Sequence, residues 1–189
     1  MKIAFDLDDV CVSTTTTMID YLNNKLPITP LTINDITSYH IEDALPEDFK
    51  WLVEIAFQDK NFWKQVSIIP ECVPILNKLY NEGYNIVFAT SSLPENLRKK
   101  INHLSRNLTF FPDDYVWKHT INLQDKSLLN VDILVDDNLK HLLHPNRLYY
   151  SIIMNWPWNQ LSDDFDRVCR AYDWNDVYAK VKQIERGEL

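Results

Sequence analysis

Four short apolar runs most constrain what this chain can fold into. They are KIAFDL (2–7), YNIVFAT (84–90), VDILVD (131–136) and RLYYSIIM (147–154). Each is rich in Ile, Val, Phe or Tyr, as expected of strands covered on both faces. Helical patterns separate them. Pro70 opens PECVPILNKLYNEG, with Gly83 at the expected stop. PENLRKKINHLSR (94–106) reads as a second helix, and NLKHLL (138–143) as a short one ended by Pro145. WNDVYAKVKQIERGEL closes the sequence as an amphipathic helix. Strands alternating with helices predict an α/β fold with a parallel sheet.

One stretch breaks the alternation. Residues 14–67 contain no convincing strand. TTTTMIDYLNNK, TINDITSY and PEDFKWLVEIAFQ read as helices, with Ser13, Thr32 and Pro46 as start signals. The expected organisation is a core of residues 1–13 and 68–189, with an all-helical insertion of 14–67 behind the first strand. The Thr14–Thr17 run is β-branched and a mediocre helix start.

Only Gly83 and Gly187 are glycines, which excludes a Walker-type or dinucleotide-type glycine cradle. Any phosphate must be held by side chains and a metal. The formal net charge of −8 argues against duplex nucleic acid as a partner. Three widely spaced cysteines, Cys11, Cys72 and Cys169, suggest neither a disulfide framework nor a zinc site, and so a reducing compartment. No leader-like stretch precedes Asp6, and no 18-residue apolar run exists. A cytoplasmic protein with no membrane partner is expected.

Acidic residues carry the chemistry. Asp-Asp pairs occur at 8–9, 113–114, 136–137 and 163–164. Those at 113–114 and 163–164 follow turn-like sequence and read as solvated loops or caps. By contrast, Asp6, Asp8, Asp136 and Asp137 fall at the carboxyl ends of apolar strands, where open α/β sheets bind ligands. Asp6 and Asp8, two apart, can share one crevice. Carboxylates converging without histidine or thiolate ligands suit Mg²⁺, which is bound by a few carboxylates together with substrate phosphate. Thr90 and Ser91 end the second strand, where a hydroxyl can donate to a phosphoryl oxygen. Lys126 precedes the third apolar run, where it can serve as a point charge for phosphate. His141 and His144 lack a third ligand, and Trp156 and Trp158 read as packing around Pro157.

Together, DLDDV (6–10), Thr90, Lys126 and LVDDN (134–138) resemble, in order, the signature of the haloacid dehalogenase (HAD) superfamily of phosphohydrolases. That resemblance implies a Rossmann-like core with a small helical cap after the first strand. Within the superfamily the chain is most similar to the 5′(3′)-deoxyribonucleotidases. The similarity lies in Thr90-Ser91, in Asp125 to Asp137, in FW…IIPECV (62–73) and in NWPWN (155–159). Four positions depart from that family. Asp9 replaces a usual Gly, Ser92 often a Pro, Gln124 a basic residue, and Thr14 falls near a base-holding aromatic. Nucleobase and sugar preference stay open.

The resemblance implies that Asp6 is the nucleophile and Asp8 the acid and base. Mg²⁺ would lie between Asp6, the Asp8 carbonyl and Asp137, with Asp136 nearby, while Thr90 and Lys126 stabilise the phosphoryl group. Ser91, Phe57, Tyr39 and Trp63 are the expected substrate contacts, Phe57 first by its distance from Pro70. The expected partner is a small phosphomonoester, foremost a (deoxy)nucleoside monophosphate, with a homodimer left open. A sugar phosphate is the alternative substrate, and a phospho-acceptor receiver domain the alternative class.

Overall fold

The computed structural model describes residues 1–160 and 165–189. Asp163 and Asp164, expected in a solvated loop, lie outside the described residues. Six strands form one parallel sheet: β1 (Lys2–Phe5), β2 (Asn85–Thr90), β3 (Thr120–Asn122), β4 (Ile133–Asp136), β5 (Tyr150–Met154) and β6 (Val168–Ala171), in the order β3-β2-β1-β4-β5-β6. The fold is therefore the expected Rossmann-like α/β sheet. All four apolar runs are strands. The two edge strands were not anticipated. β3 is half-exposed, and β6 carries Arg170 in its interior, so neither has the continuous apolar signature of the central strands.

Alternation along the strands builds two cores. Ile3, Phe5, Ile86, Phe88, Ile133 and Val135 face the larger one, while Ala4, Val87, Ala89 and Leu134 face the smaller one. Two helices, α4 (Cys72–Asn81) and α8 (Trp174–Glu185), pack on each other and on the sheet. Trp174 stacks on Phe5 with ring centroids 5.4 Å apart. Gly83 ends the α4 segment at φ 87°, a left-handed position that only glycine adopts without strain. The remaining core helices are α5 (Pro94–Asn107), α6 (Tyr115–Lys118) and α7 (Leu139–Leu142).

Between β1 and α4 the regular elements are α1 (Thr14–Asn23), α2 (Trp51–Gln58), α3 (Lys60–Gln65) and 3-10 turns at Ile33–Asp35, Ile41–Ala44 and Glu47–Phe49. TINDITSY is not a regular helix. Its Thr32–Asp35 capping box closes a single turn. Ser13 occupies the cap position of α1, but its hydroxyl bonds Ser67 instead of the helix. The threonine run does become helix, for a reason given below. Among the described residues no helix is long and apolar enough to cross a membrane.

Candidate active site

The strand order reverses at β1, with β2 and β3 on one side and β4 to β6 on the other. At such a switch point the carboxyl ends of neighbouring strands leave a crevice. The backbone pairing of β1 with β4 extends to Asp6, whose N–H donates to the Val135 carbonyl at 2.9 Å. Asp6 therefore sits beside Asp136, at the end of β4, and Asp137. One oxygen from each of these three acids lies within 4.8 Å of the others, and all three residues are buried.

Lys126 compensates part of this charge. It is 1 % exposed, with Nζ 2.7 Å from Asp136 Oδ2 and 2.8 Å from Asp6 Oδ1. A short 3-10 turn, Lys126–Leu128, presents it, capped by the Asp125 carboxylate accepting from Ser127 N. Burial pulls its ammonium pKa down, but Asp136 and Asp6 more than reverse that. Burial pushes the Asp6 carboxyl up to about 7, with Lys126 opposing and Asp136 and Asp8 reinforcing. Asp137 rises well above the ordinary carboxylate range, through burial first and Asp136 second.

Asp6 Oδ1 meets Lys126 as an ion pair but has no hydrogen-bond partner, an expensive state for a buried oxygen. Asp136 is more fully engaged, since its Oδ1 also accepts from Asn138 N at 2.9 Å. A buried, all-oxygen acidic group with an orphaned oxygen fits a hard divalent cation such as Mg²⁺. The Asp8 carboxylate stands apart from this group. Its Oδ1 accepts from Thr14 Oγ1 at 2.6 Å and its Oδ2 pairs with Lys100. Burial raises the Asp8 carboxyl, but the Lys100 ion pair and donors from Lys100 and Thr14 leave it below its usual value.

The departures at residues 9, 14 and 92 acquire reasons. Asp9 holds φ 55°, a left-handed conformation suited to glycine that aspartate tolerates better than most residues. Its carboxylate accepts from Thr15 N at 2.9 Å and Thr15 Oγ1 at 2.7 Å, filling an orphan donor at the start of α1. Thr14 and Thr15 thus spend their hydroxyls on Asp8 and Asp9, and Thr17 bonds the Ser13 carbonyl at 2.7 Å. A poor helix start by propensity is stabilised by tertiary contacts. Ser92 links Thr90 Oγ1 at 2.9 Å to Lys100 Nζ at 2.6 Å. Ser91 turns elsewhere, donating to the Leu123 carbonyl at 2.7 Å.

A cavity of about 550 Å³ opens above these residues. Asp8, Asp9, Asp137, Ser91, Ser92 and Lys100 line its lower wall, and Tyr39, Phe57 and Trp63 line the helical side. Asp6, Thr90, Lys126 and Asp136 are not on that wall and lie in the buried network. Phe57 packs edge-on to Phe62 at 5.7 Å, and Trp63 Nε1 donates to the Phe57 carbonyl at 2.7 Å. Half of the Tyr39 surface is exposed. Burial and then the charge on Asp137 push its phenol up.

The sequence pattern did not reveal the part played by Trp156, Trp158, Asn159 and Lys100. Trp156 and Trp158 do stack, with rings 5.1 Å apart, but they are more than packing around Pro157. Trp158 Nε1 donates to Asp137 Oδ2 at 2.8 Å, and Trp156 Nε1 to the Asp9 carbonyl at 2.7 Å. Asn159 adds a bond to the Asp137 carbonyl at 2.9 Å. The available signal was that a buried indole N–H needs an acceptor. Lys100 was hidden inside a helix whose other charges face solvent.

Comparison with known proteins bears on the fold and the family. No curated protein matches the chain. Solved structures do. A predicted phosphatase from Clostridium acetobutylicum is 14 % identical with a TM-score of 0.62, covering 96 % of this chain and 98 % of its own. A HAD family hydrolase from Deinococcus radiodurans with bound phosphate and sodium is 14 % identical with a TM-score of 0.59, covering 97 % and 94 %. Protein tyrosine kinase A from Mycobacterium tuberculosis is 14 % identical with a TM-score of 0.61, covering 95 % and 97 %. At such identities these neighbours speak for the fold alone. The family model described as 5′ nucleotidase, deoxy (pyrimidine), cytosolic type C protein matches residues 1–185. Matched over residues 1–185, the chain belongs to this family of HAD phosphohydrolases and is a phosphoric monoester hydrolase of the 5′-nucleotidase type.

Proposed function

We propose that this protein is a Mg²⁺-dependent phosphatase of (deoxy)nucleoside monophosphates working through an aspartyl-phosphate. The observation that carries the reading is the junction of the β1 and β4 tips, where Asp6, Asp136 and Asp137 converge beneath an aromatic-walled cavity. In this reading residues 14–67 act as a cap on a core of 1–13 and 68–189. Asp6, Asp137, Asp136 and the Asp8 carbonyl would hold the cation, which lowers the repulsion between an anionic phosphate and an anionic nucleophile.

Asp6 attacks phosphorus, forming a carboxylate O–P bond as the ester P–O bond breaks. The electron pair of that bond goes to the ester oxygen, which takes a proton from Asp8. Asp8 then accepts a proton from the water that attacks the intermediate, and phosphate leaves with Asp6 regenerated. Lys126, anchored by Asp136, and Thr90, anchored by Ser92, are fixed before substrate arrives and stabilise the phosphoryl oxygens at little reorganisation cost. Phe57, Trp63 and Tyr39 supply ring faces and a phenol hydroxyl for the nucleoside, with Ser91 at the rim. The cytosolic family description supports a cytoplasmic site of action.

The test is phosphate release from a panel of nucleoside and sugar monophosphates with and without Mg²⁺. Activity is expected on nucleoside monophosphates only with the metal. Asp6→Asn is expected to remove at least ~10⁴-fold of it, as loss of a nucleophile does. Brisk turnover of sugar phosphates alone would move the substrate class, and a metal-independent rate would end the reading.

A further inference from the structure

Lys100 is the one buried lysine of α5. Asn96, Lys100, Ile101 and Leu104 form the buried face of that helix, so two polar residues interrupt an otherwise apolar stripe. Lysine is seldom buried without a partner, because desolvating its ammonium is costly. Here it is 6 % exposed and its partners are specific. It pairs with Asp8 Oδ2, donates to Ser92 Oγ at 2.6 Å, and lies 5.2 Å from the centre of the Trp63 ring. Ser92 Oγ in turn meets Thr90 Oγ1 at 2.9 Å, and Thr14 holds the other oxygen of Asp8. One cation on a helix therefore ties the loop after β1 to the tip of β2.

We propose that Lys100 is a positioning residue for phosphoryl transfer. It holds the Asp8 carboxyl group at the side of the cavity where the ester oxygen leaves, and it braces the Thr90 hydroxyl through Ser92. With Thr14 on Oδ1 and Lys100 on Oδ2, the carboxyl plane cannot rotate freely, and such fixed geometry is what proton transfer requires. Because both contacts favour the carboxylate, the proton that Asp8 passes to the departing oxygen is first taken from the Lys100 ammonium or from the bound phosphomonoester. Without Lys100, Asp8 keeps only the Thr14 contact and can swing toward the cation Lys126. The inference rests on the role given to Asp8 above. Its consequence is a dependence on the leaving group. An alkoxide leaving from a nucleoside monophosphate needs the proton from Asp8, whereas p-nitrophenolate leaves without it.

The experiment compares kcat/KM for a deoxynucleoside 5′-monophosphate and for p-nitrophenyl phosphate at saturating Mg²⁺. The proteins are full-length wild type, Asp8→Asn, Lys100→Met and Lys100→Arg. Asp8→Asn is expected to lose ~10²–10⁴-fold on the nucleotide and far less on the aryl ester, as loss of an acid catalyst does. Lys100→Met is expected to follow the same pattern at roughly 10²-fold, within the range of a misplaced catalytic group. Lys100→Arg should keep part of the nucleotide rate. Should Lys100→Met not fold, Lys100→Ala with added ethylammonium gives the same reading, since restored nucleotide turnover supports the proposal. Equal losses on both substrates, or an unchanged nucleotide rate, would overturn it. If wild type hydrolyses neither ester the proposed function fails, whereas a leaving-group effect in Asp8→Asn but not in Lys100→Met sinks this inference alone.

Discussion

The floor and the helical wall of the cavity are built on opposite principles. In the network beneath the floor, the acids sit at strand ends and Lys126 on a short 3-10 turn, all are almost fully buried, and they are fixed by ion pairs and a backbone donor. On the wall, Tyr39, Phe57 and Trp63 come from short helices and turns, Phe57 and Trp63 meet by a ring contact, and Tyr39 and Phe57 stay partly exposed. The difference teaches where each property resides. Chemistry depends on sheet topology, which tolerates little displacement. In the function proposed above, selection rests on side chains carried by short helices and turns, which can change without disturbing the sheet.

The sharpest way to break this contrast is Lys126→Met. It leaves Asp6 and Asp136 buried with no cation between them. At pH 8 and without metal the loss of stability should be about 3–5 kcal/mol, the usual result of removing one member of a buried ion pair. Denaturant unfolding would measure it. A loss below ~1 kcal/mol would mean that the floor is far better hydrated than its burial indicates.

A second test uses pH. Asp6 and Asp9 are held at about 7, and Asp137 well above the ordinary carboxylate range, mainly by burial, against about 3.8 for an unperturbed aspartate. Raised carboxyl pKa values mean that the folded state binds more protons than the unfolded one. Stability of the metal-free protein should therefore fall as pH rises from about 4 through 7. Mg²⁺ competes with those protons, so its thermal stabilisation should be larger at pH 8 than at pH 5. A metal effect independent of pH would detach the cation from these acids.

Effects on the wall should be smaller and confined to substrate binding. Phe57→Ala is expected to raise KM for a nucleoside monophosphate about tenfold with kcat little changed, in line with ~1–3 kcal/mol for base stacking. Steady-state kinetics would show it, and an equal fall in kcat would place Phe57 in the floor's class. The smallest change expected is in Trp158→Phe. It keeps the stack on Trp156 but removes the donor to Asp137, for about 1 kcal/mol of stability. Differential unfolding against wild type would resolve it.

Much of the fold was legible because its central strands are buried on both faces and so read as unbroken apolar runs. The edge strands were not, because β3 is half-exposed and β6 buries Arg170 through bonds to Asn155 and Asn159. The acids at the tips of β1 and β4 stood out in the sequence because charge directly after an apolar strand is costly unless it is used. Lys100 and the indoles of Trp156 and Trp158 did not stand out, since a lysine in a charged helix and tryptophans beside a proline look ordinary in one dimension.

By itself, then, the sequence determined an α/β sheet with helices inserted after β1, a set of acids and a threonine at strand ends, and a lysine a few residues before β4. Local pattern suffices for this because strand burial and charge placement are written in consecutive residues. Only the tertiary structure decided that Lys126 bridges Asp6 and Asp136, that Lys100 clasps Asp8 from a helix 92 residues away, and that Trp158 reaches Asp137. Those pairings join segments far apart in the chain, and which buried donor meets which buried acceptor is set by how helices pack on the sheet.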